Sequence, residues 1–415
     1  MKSNKQVYSN IIALVFVQLS NYLAPLMVFP YLSRVLGVEG FGLVVISLSI
    51  IAIAFIFTDF GFNLSAPYWI VKNKHNREEV SKYVGSVFIL KSGILLFVFF
   101  AIYIYFITSN GPLASVDNII PCIFFVVATQ AFMPVWFFQG IEKMKGITFF
   151  WVTAKLFYLI LVLYFVKHNG QEEIVLLCLG VSNLIAVLIG IYSIYREGYK
   201  IKLPGVEMTV EAFKNSFQFF LSRAAVGLYT SASTFIVGAF GGVQQAALYS
   251  SSEKLYQAGQ SLTSPVSQAL YPYLSRTADT RSLYKFIGVC LIPIVLGCGI
   301  CFYFSRDILV IFYGENFNQA ESILRIFLVC SVINFIGVNF GYPAFAILNR
   351  LDAANKTVLF AAILYAIVLL WLYLSNMISA INVAIGVCCV EGVVMIARAS
   401  CFFILYRKYN KVKGI

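Results

Sequence analysis

Runs of about twenty apolar residues recur from one end of the chain to the other, and that is the length an α-helix needs to cross the hydrocarbon of a bilayer. In hydrocarbon, backbone N–H and C=O groups must be satisfied within the protein, so continuous apolar runs leave a helical bundle as the available fold. The runs predict helices near 9–31, 41–66, 84–107, 118–139, 147–166, 173–195, 215–239, 245–271, 285–304, 319–345, 357–376 and 380–405. The expected architecture is an all-α polytopic membrane protein of twelve transmembrane helices. Composition agrees: 12% of residues are charged and 60% hydrophobic, where a soluble domain has roughly a quarter charged. The longest polar connection, 196–214, is too short to fold alone. The start "MKSNKQVYSN" resembles a signal peptide, but the apolar run continues through Gln18, Asn21 and Pro25 without a small-residue cleavage site. It is read as a retained first span.

An even number of spans puts both termini on one side. Of the 30 Lys and Arg residues, the N-terminus, the even-numbered connections and the C-terminal tail hold 21. Among these are Lys72, Lys74, Arg77 and Lys82, and Arg196, Lys200 and Lys202. The odd-numbered connections hold three, Arg34, Lys167 and Arg306. The positive-inside rule then makes both termini cytoplasmic. The net charge of +12 is read as topology and attraction to membrane lipids, not as a nucleic-acid surface.

Several chemistries are not expected. All nine cysteines fall inside apolar runs, which suits small apolar packing better than disulfides. His75 and His168 lie in different loops, so a histidine-based metal site is not expected. No G-x-x-x-x-G-K-[ST] loop occurs, so no ATP site is expected. Without a visible nucleophile–base set, the chain is read as neither an enzyme nor a cofactor carrier.

A displacement of 205 residues lays "GVEGFGL" (37–43) on "GVQQAAL" (242–248), and Pro67-Tyr68 on Pro272-Tyr273. The repeat predicts two pseudo-symmetric six-helix bundles, 1–205 and 206–415. Transporters built from paired halves hold substrate near the midplane between them. Two membrane turns sharing Gly-Val by chance is the alternative.

Six cations fall within spans: Lys91, Lys155, Arg223, Lys254, Arg325 and Arg398. Four acids do so as well: Asp59, Glu253, Glu321 and Glu391. A charge at the bilayer centre costs about 2.5–3.5 kcal/mol on insertion scales, so each needs a reason. Lys91 and Arg398 near cytoplasmic span ends, with Arg325 and Glu321 near outer ends, fit snorkelling of a long stem to the interface. Arg223, Lys254, Lys155 and Glu391 lie deeper and are read as facing a cavity.

In the eighth span Ser250, Lys254, Gln257, Ser261, Ser264 and Gln268 recur every three or four residues, which is one polar face of a helix. Arg223 shares its span with Ser222, Thr230, Ser231 and Ser233, and Gln18, Asn21 and Pro25 form a shorter stripe in the first. Spans 1, 7 and 8 are therefore expected to wall a polar cavity of net positive charge. Its substrate would be anionic, most simply a phosphate. Candidate binding cations are Arg223, Lys254, Lys155, Lys91 and Arg398, with Gln18, Asn21, Gln257 and Ser261 as polar lining. Glu391 and Arg398, seven apart, share a helix face. They either pair structurally, or Glu391 joins Asp59 and Glu253 as a candidate for proton or sodium coupling.

The stretch "SNYLAPLMVFPYLSRVLGVEGFG" (20–42) resembles the N-terminal signature of O-antigen flippases. These are Wzx-type polysaccharide transporters of the multidrug/oligosaccharidyl-lipid/polysaccharide exporter superfamily. "DFGFNLSA" (59–66), "WFFQGIEKMK" (136–145) and "SPVSQALYPYLS" (264–275) follow in family order. The resemblance implies a MATE-like fold of two six-helix bundles around a V-shaped central cavity. It implies flipping of an undecaprenyl-pyrophosphate-linked repeat unit across the bacterial inner membrane by alternating access, with ion-gradient coupling. Partners would be the lipid-linked oligosaccharide, an O-antigen polymerase and a chain-length regulator. Arg34 and Glu39, within the signature, are read as a periplasmic-end gate or brace, with Gly37, Gly40 and Gly42 allowing close helix approach. A static turn with a surface ion pair is the alternative.

Rival readings remain. A multidrug antiporter of the same superfamily would favour acidic and aromatic walls, against the cation-rich interior here. Flippases for other lipid-linked glycans, such as peptidoglycan lipid II, usually carry two more helices. A scaffold has no use for a polar stripe, and a glycosyltransferase or polymerase would want larger outer loops.

Overall fold

The computed structural model describes the backbone of residues 2–413 apart from Asn110 and Asp117. Side chains are described outside 1–25, 114–115, 144–150, 409–415 and scattered positions within 222–230 and 265–269. The chain divides into two compact units, Met1–Phe235 and Ile236–Ile415.

The first unit holds α1 (Lys2–Asp59), α2 (Phe62–Asn73), α3 (Arg77–Thr108), α4 (Ile119–Ala131), α5 (Val135–Gly140), α6 (Met144–Phe165), α7 (Glu172–Arg196) and nearly all of α8 (Val206–Ile236). α1 is two helices joined at Gly37, whose φ of 68° and ψ of −173° interrupt the helix. That region of backbone space is open essentially to glycine alone. α4 ends just before Pro134, because a proline disfavours helical geometry in the residue ahead of it. α3 begins on Asn76, whose side chain accepts from the Glu79 N–H, and first-turn Glu78 and Glu79 suit the positive helix end.

Connections in this unit alternate between two ends. Lys74 pairs with Glu142 at 3.5 Å, Lys202 with Glu78 at 3.4 Å, and Lys143 with Glu197. The connections after α2, α5 and α7 therefore share one end. At the other end Tyr31 O–H donates to the Val166 carbonyl at 2.6 Å, and Gly40 lies against Asn169 and Glu172. Exposed ion pairs stabilise by only about 0–1 kcal/mol; here they report which loops are neighbours.

The second unit follows a π-turn at Val237–Gly241 with α9 (Val243–Thr277), α10 (Thr280–Tyr303), α11 (Ser305–Tyr313), α12 (Glu321–Asn339), α13 (Tyr342–Ile347), α14 (Leu351–Leu374) and α15 (Ala380–Lys413). Gly242 precedes α9 with φ 95° and ψ 165°, the same region as Gly37, its mate in the repeat. In the first unit the short α5 packs on α2, and in the second the short α13 packs on α9.

Each predicted span falls on a helical stretch. The first two fall on the halves of α1, the second running on into α2, the fourth on α4 with α5, and the tenth on α12 with α13. Among the described residues eight stretches are long and apolar enough to cross a membrane. α9 has the length, at 35 residues, but its polar face keeps it out of that set. Leu96, Phe97, Ile292 and Leu296 are all more than 60% exposed, the outward apolar surface a bilayer covers. The predicted boundary at 205 and the packing boundary after Phe235 differ by α8, whose packing on the first unit builds the site below.

Candidate functional site

The "DFGFNLSA" stretch is the break between α1 and α2. Phe60 and Gly61 both take positive φ, 47° and 78°. A Cβ on Gly61 would lie 2.7 Å from both the Phe220 amide nitrogen and the Ser216 carbonyl oxygen. Only glycine lets the α8 backbone come so close. Phe60 stacks between Phe213 and Phe220, each at 4.9 Å, and the hydroxyls of Ser65 and Ser216 meet at 2.7 Å. α8 is therefore locked against the turn that carries Asp59.

Asp59 is 3% exposed, and its Oδ1 has no hydrogen-bond partner among the described residues. Backbone N–H groups of Asn63 and Gly61 lie against the carboxylate, and its charged neighbours are Lys91 and, more weakly, Arg223. Lys91 is 2% exposed. Its ammonium donates to the Ala131 carbonyl at 2.8 Å and sits 5.9 Å from the Phe62 ring centre. Ala131 is the last residue of α4, where a cation meets the negative end of the helix dipole. Lys91 thus points inward; the snorkelling expectation fails because a helix terminus inside the unit offers it a partner. Arg223 is exposed on α8. One buried acid flanked by two cations leaves a net positive site with the Arg223 guanidinium as its accessible member.

The other predicted residues are dispersed. Lys155 is half-buried on α6, 5.4 Å from the Trp151 ring centre. Arg34 and Glu39 are exposed, and Arg34 donates to the Pro30 carbonyl at 2.9 Å. The side chains of Gln18, Asn21, Ser222 and Thr230 lie outside the described residues.

In the second unit, half-buried Lys254 donates to Gln257 at 3.1 Å along the α9 stripe. Ser250 and Glu253 are buried, Ser261 half-buried, and Ser264 and Gln268 exposed. The stripe thus runs from core to surface along one helix. Glu391 accepts from Asn334 at 3.1 Å. Arg398 donates to Thr357 and to the Gly337 carbonyl, both at 3.0 Å. It bridges α15 to α14 and α12 instead of snorkelling to the interface.

The sequence reading missed Asn334, Asn339 and the Ser65–Ser216 pair. Asn339, buried, accepts from Ser267 at 3.1 Å. An asparagine inside an apolar run was the available signal. The pairing of serines 151 positions apart had none.

A family model described as polysaccharide biosynthesis protein matches residues 7–278. A protein of Escherichia coli (strain K12) named "Putative O-antigen transporter" is 30% identical over 301 residues, 72% of this chain and 71% of its own. Among solved structures, an inward-facing multidrug resistance MATE family transporter of the MOP superfamily is similar at TM-score 0.71, with 13% identity, 96% of this chain and 99% of its own covered. The lipid II flippase MurJ in an inward closed conformation is similar at TM-score 0.69, with 14% identity, 95% of this chain and 87% of its own covered. At such identities the structural likeness speaks to fold: both neighbours share the helical architecture of this chain.

Proposed function

The chain belongs to the polysaccharide biosynthesis protein family, and on that premise we propose that it flips a lipid-linked glycan across a membrane. The substrate is an O-antigen repeat unit on undecaprenyl pyrophosphate. It moves from the cytoplasmic to the periplasmic leaflet of the bacterial inner membrane by alternating access. The observation that carries this reading is the net positive Asp59–Lys91–Arg223 site in a chain whose relative is named for O-antigen transport.

The physical logic is that of charge and water. Pyrophosphate and sugars cannot cross hydrocarbon unaided, whereas the polyprenyl tail stays in lipid. A guanidinium meets phosphate oxygens in a fixed fork, so Arg223 is the proposed phosphate contact. Lys155 in the first unit and Lys254 in the second are further candidate substrate cations. No bond is made or broken. Asp59, with a free acceptor oxygen, is the proposed coupling residue for a proton or sodium ion, with Glu391 and Glu253 as further candidates. Both termini lie in the cytoplasm on the charge bias, and a polymerase and a chain-length regulator would receive the product.

The test is a strain deleted for this gene and complemented with wild type or Arg223→Gln. The reading expects single lipid-linked repeat units to accumulate in the deletion, surface glycan to be lost, and Arg223→Gln at normal expression to fail. Normal surface glycan with altered drug sensitivity would instead support a multidrug antiporter.

A further inference from the structure

A chamber of about 650 Å³ opens in the first unit, where α2 and the start of α3 face α8, and Asp59 is not among its lining residues. Its size is within the range of small-molecule sites, about 300–1,000 Å³. Its charged members are Lys72, Glu79 and Glu211, its amides Asn73, Asn215 and Gln218, and its aromatic rings Tyr68, Trp69 and Phe219. We propose that this chamber is a carbohydrate subsite that takes an uncharged sugar, plain or N-acetylated, of the lipid-linked glycan. The proposal rests on the transport reading above and adds the part of the substrate that reading leaves unassigned.

The chemistry separates this chamber from the cation-rich site. Two carboxylates stand against one ammonium, and that ammonium already sits 4.2 Å over the Tyr68 ring centre. A pyrophosphate or an acidic sugar would meet net negative charge. Three amides each offer a donor and an acceptor, and carboxylates accept from hydroxyls. That mixture matches the alternating hydroxyls of a sugar ring. Aromatic faces cover the apolar C–H face of a sugar.

Two further features indicate a built wall. Trp69 stacks on Tyr83 at 4.0 Å with an interplanar angle of 6°, which fixes the orientation of a lining ring. The Tyr83 hydroxyl is buried next to Ser65, a second lining residue, so the same ring borders the chamber wall at two points. The chamber lies at the end marked by the Lys74–Glu142 and Lys202–Glu78 pairs. The charge bias makes that end cytoplasmic, the side on which the glycan is assembled in the proposed reading.

The test uses the purified full chain in nanodiscs and calorimetric titration. The probe is the oligosaccharide released by mild acid from the host's own lipid-linked repeat units, with ethidium as a cationic comparison. Glu211→Gln and Asn215→Ala change exposed positions of α8, and unchanged thermal unfolding verifies their folding. The proposal expects oligosaccharide binding to the wild type, weakened about tenfold in each variant, the loss of roughly one good hydrogen bond to a charged or amide group. Equal binding by wild type and variants, or no oligosaccharide binding at all, overturns it. Ethidium binding lost in Glu211→Gln, without oligosaccharide binding, assigns the chamber to organic cations and also overturns it. The lipid extract of the deletion strain keeps the two readings apart. Without accumulation of lipid-linked units the transport reading fails. With accumulation, and with variants that bind and complement like wild type, only the subsite fails.

Discussion

Lys91 shows what sequence reasoning reaches at the residue scale and where it stops. Its type and its place in an apolar run mark it as costly. Its partner, the Ala131 carbonyl, is 40 positions away and is free to accept because α4 ends there. Lys91→Met should lower stability by about 1.5–3 kcal/mol, the range for a lost hydrogen bond to a charged group, read as thermal unfolding in detergent. Lys91→Arg should retain most of it. A Met variant as stable as wild type would mean the ammonium contributes nothing to the α4 terminus.

The glycines separate by cause. Gly37→Ala meets open space, so its cost is backbone alone, about 1–3 kcal/mol for a residue held in a sparsely populated region. Gly61→Ala adds a clash with α8 backbone atoms at 2.7 Å and should be the more damaging by unfolding temperature. Equal effects would contradict the proposed locking of α8.

At the scale of elements, the length of the apolar runs located the long helices, because hydrocarbon thickness is a local constraint on sequence. The breaks at Phe60-Gly61 and Phe340-Gly341 were not legible, since what holds them is packing against distant helices. The "WFFQG" stretch was recognised as a motif but not explained. Trp136, Phe137 and Phe138 are at most 2% exposed, so the motif is core. Phe137→Ala should cost about 3–5 kcal/mol, measured by the same unfolding assay.

α10 carries a pH signature. Asp279 accepts from the Arg281 N–H and the Ser282 hydroxyl. The Ser282 hydrogen bond holds its carboxyl below the usual carboxylate range. The folded value is the lower one, so the capping contribution is complete above the ordinary range, near pH 4, and is lost as pH falls through the folded value. Hydrogen exchange at the first turn of α10, corrected for intrinsic rates, should rise on acidification in wild type and stay flat in Asp279→Asn.

For the whole molecule, an all-helical membrane fold and family membership were readable from one sequence. Gly37 and Gly242, aligned by the sequence displacement, share one unusual backbone geometry. The site was legible only in part. Asp59, Lys91 and Arg223 stood out because charge in hydrocarbon is conspicuous, and the structure brings those three together. Lys254, Glu391 and Arg398 stood out for the same reason, yet α9, α12, α14 and α15 supply them with local partners. Charge alone does not say whether a residue binds substrate or braces helices.

The central claim is movement of a lipid-linked glycan by this chain. Its most direct measurement is reconstitution of the purified protein in liposomes loaded with radiolabelled lipid-linked repeat units, scored by access of a membrane-impermeant glycan oxidant to the inner leaflet pool. The account predicts that wild type exposes the inner pool within the assay, while Arg223→Gln and protein-free liposomes leave it protected. A wild-type protein that is correctly folded and leaves the inner pool protected, with and without an imposed proton or sodium gradient, would contradict it.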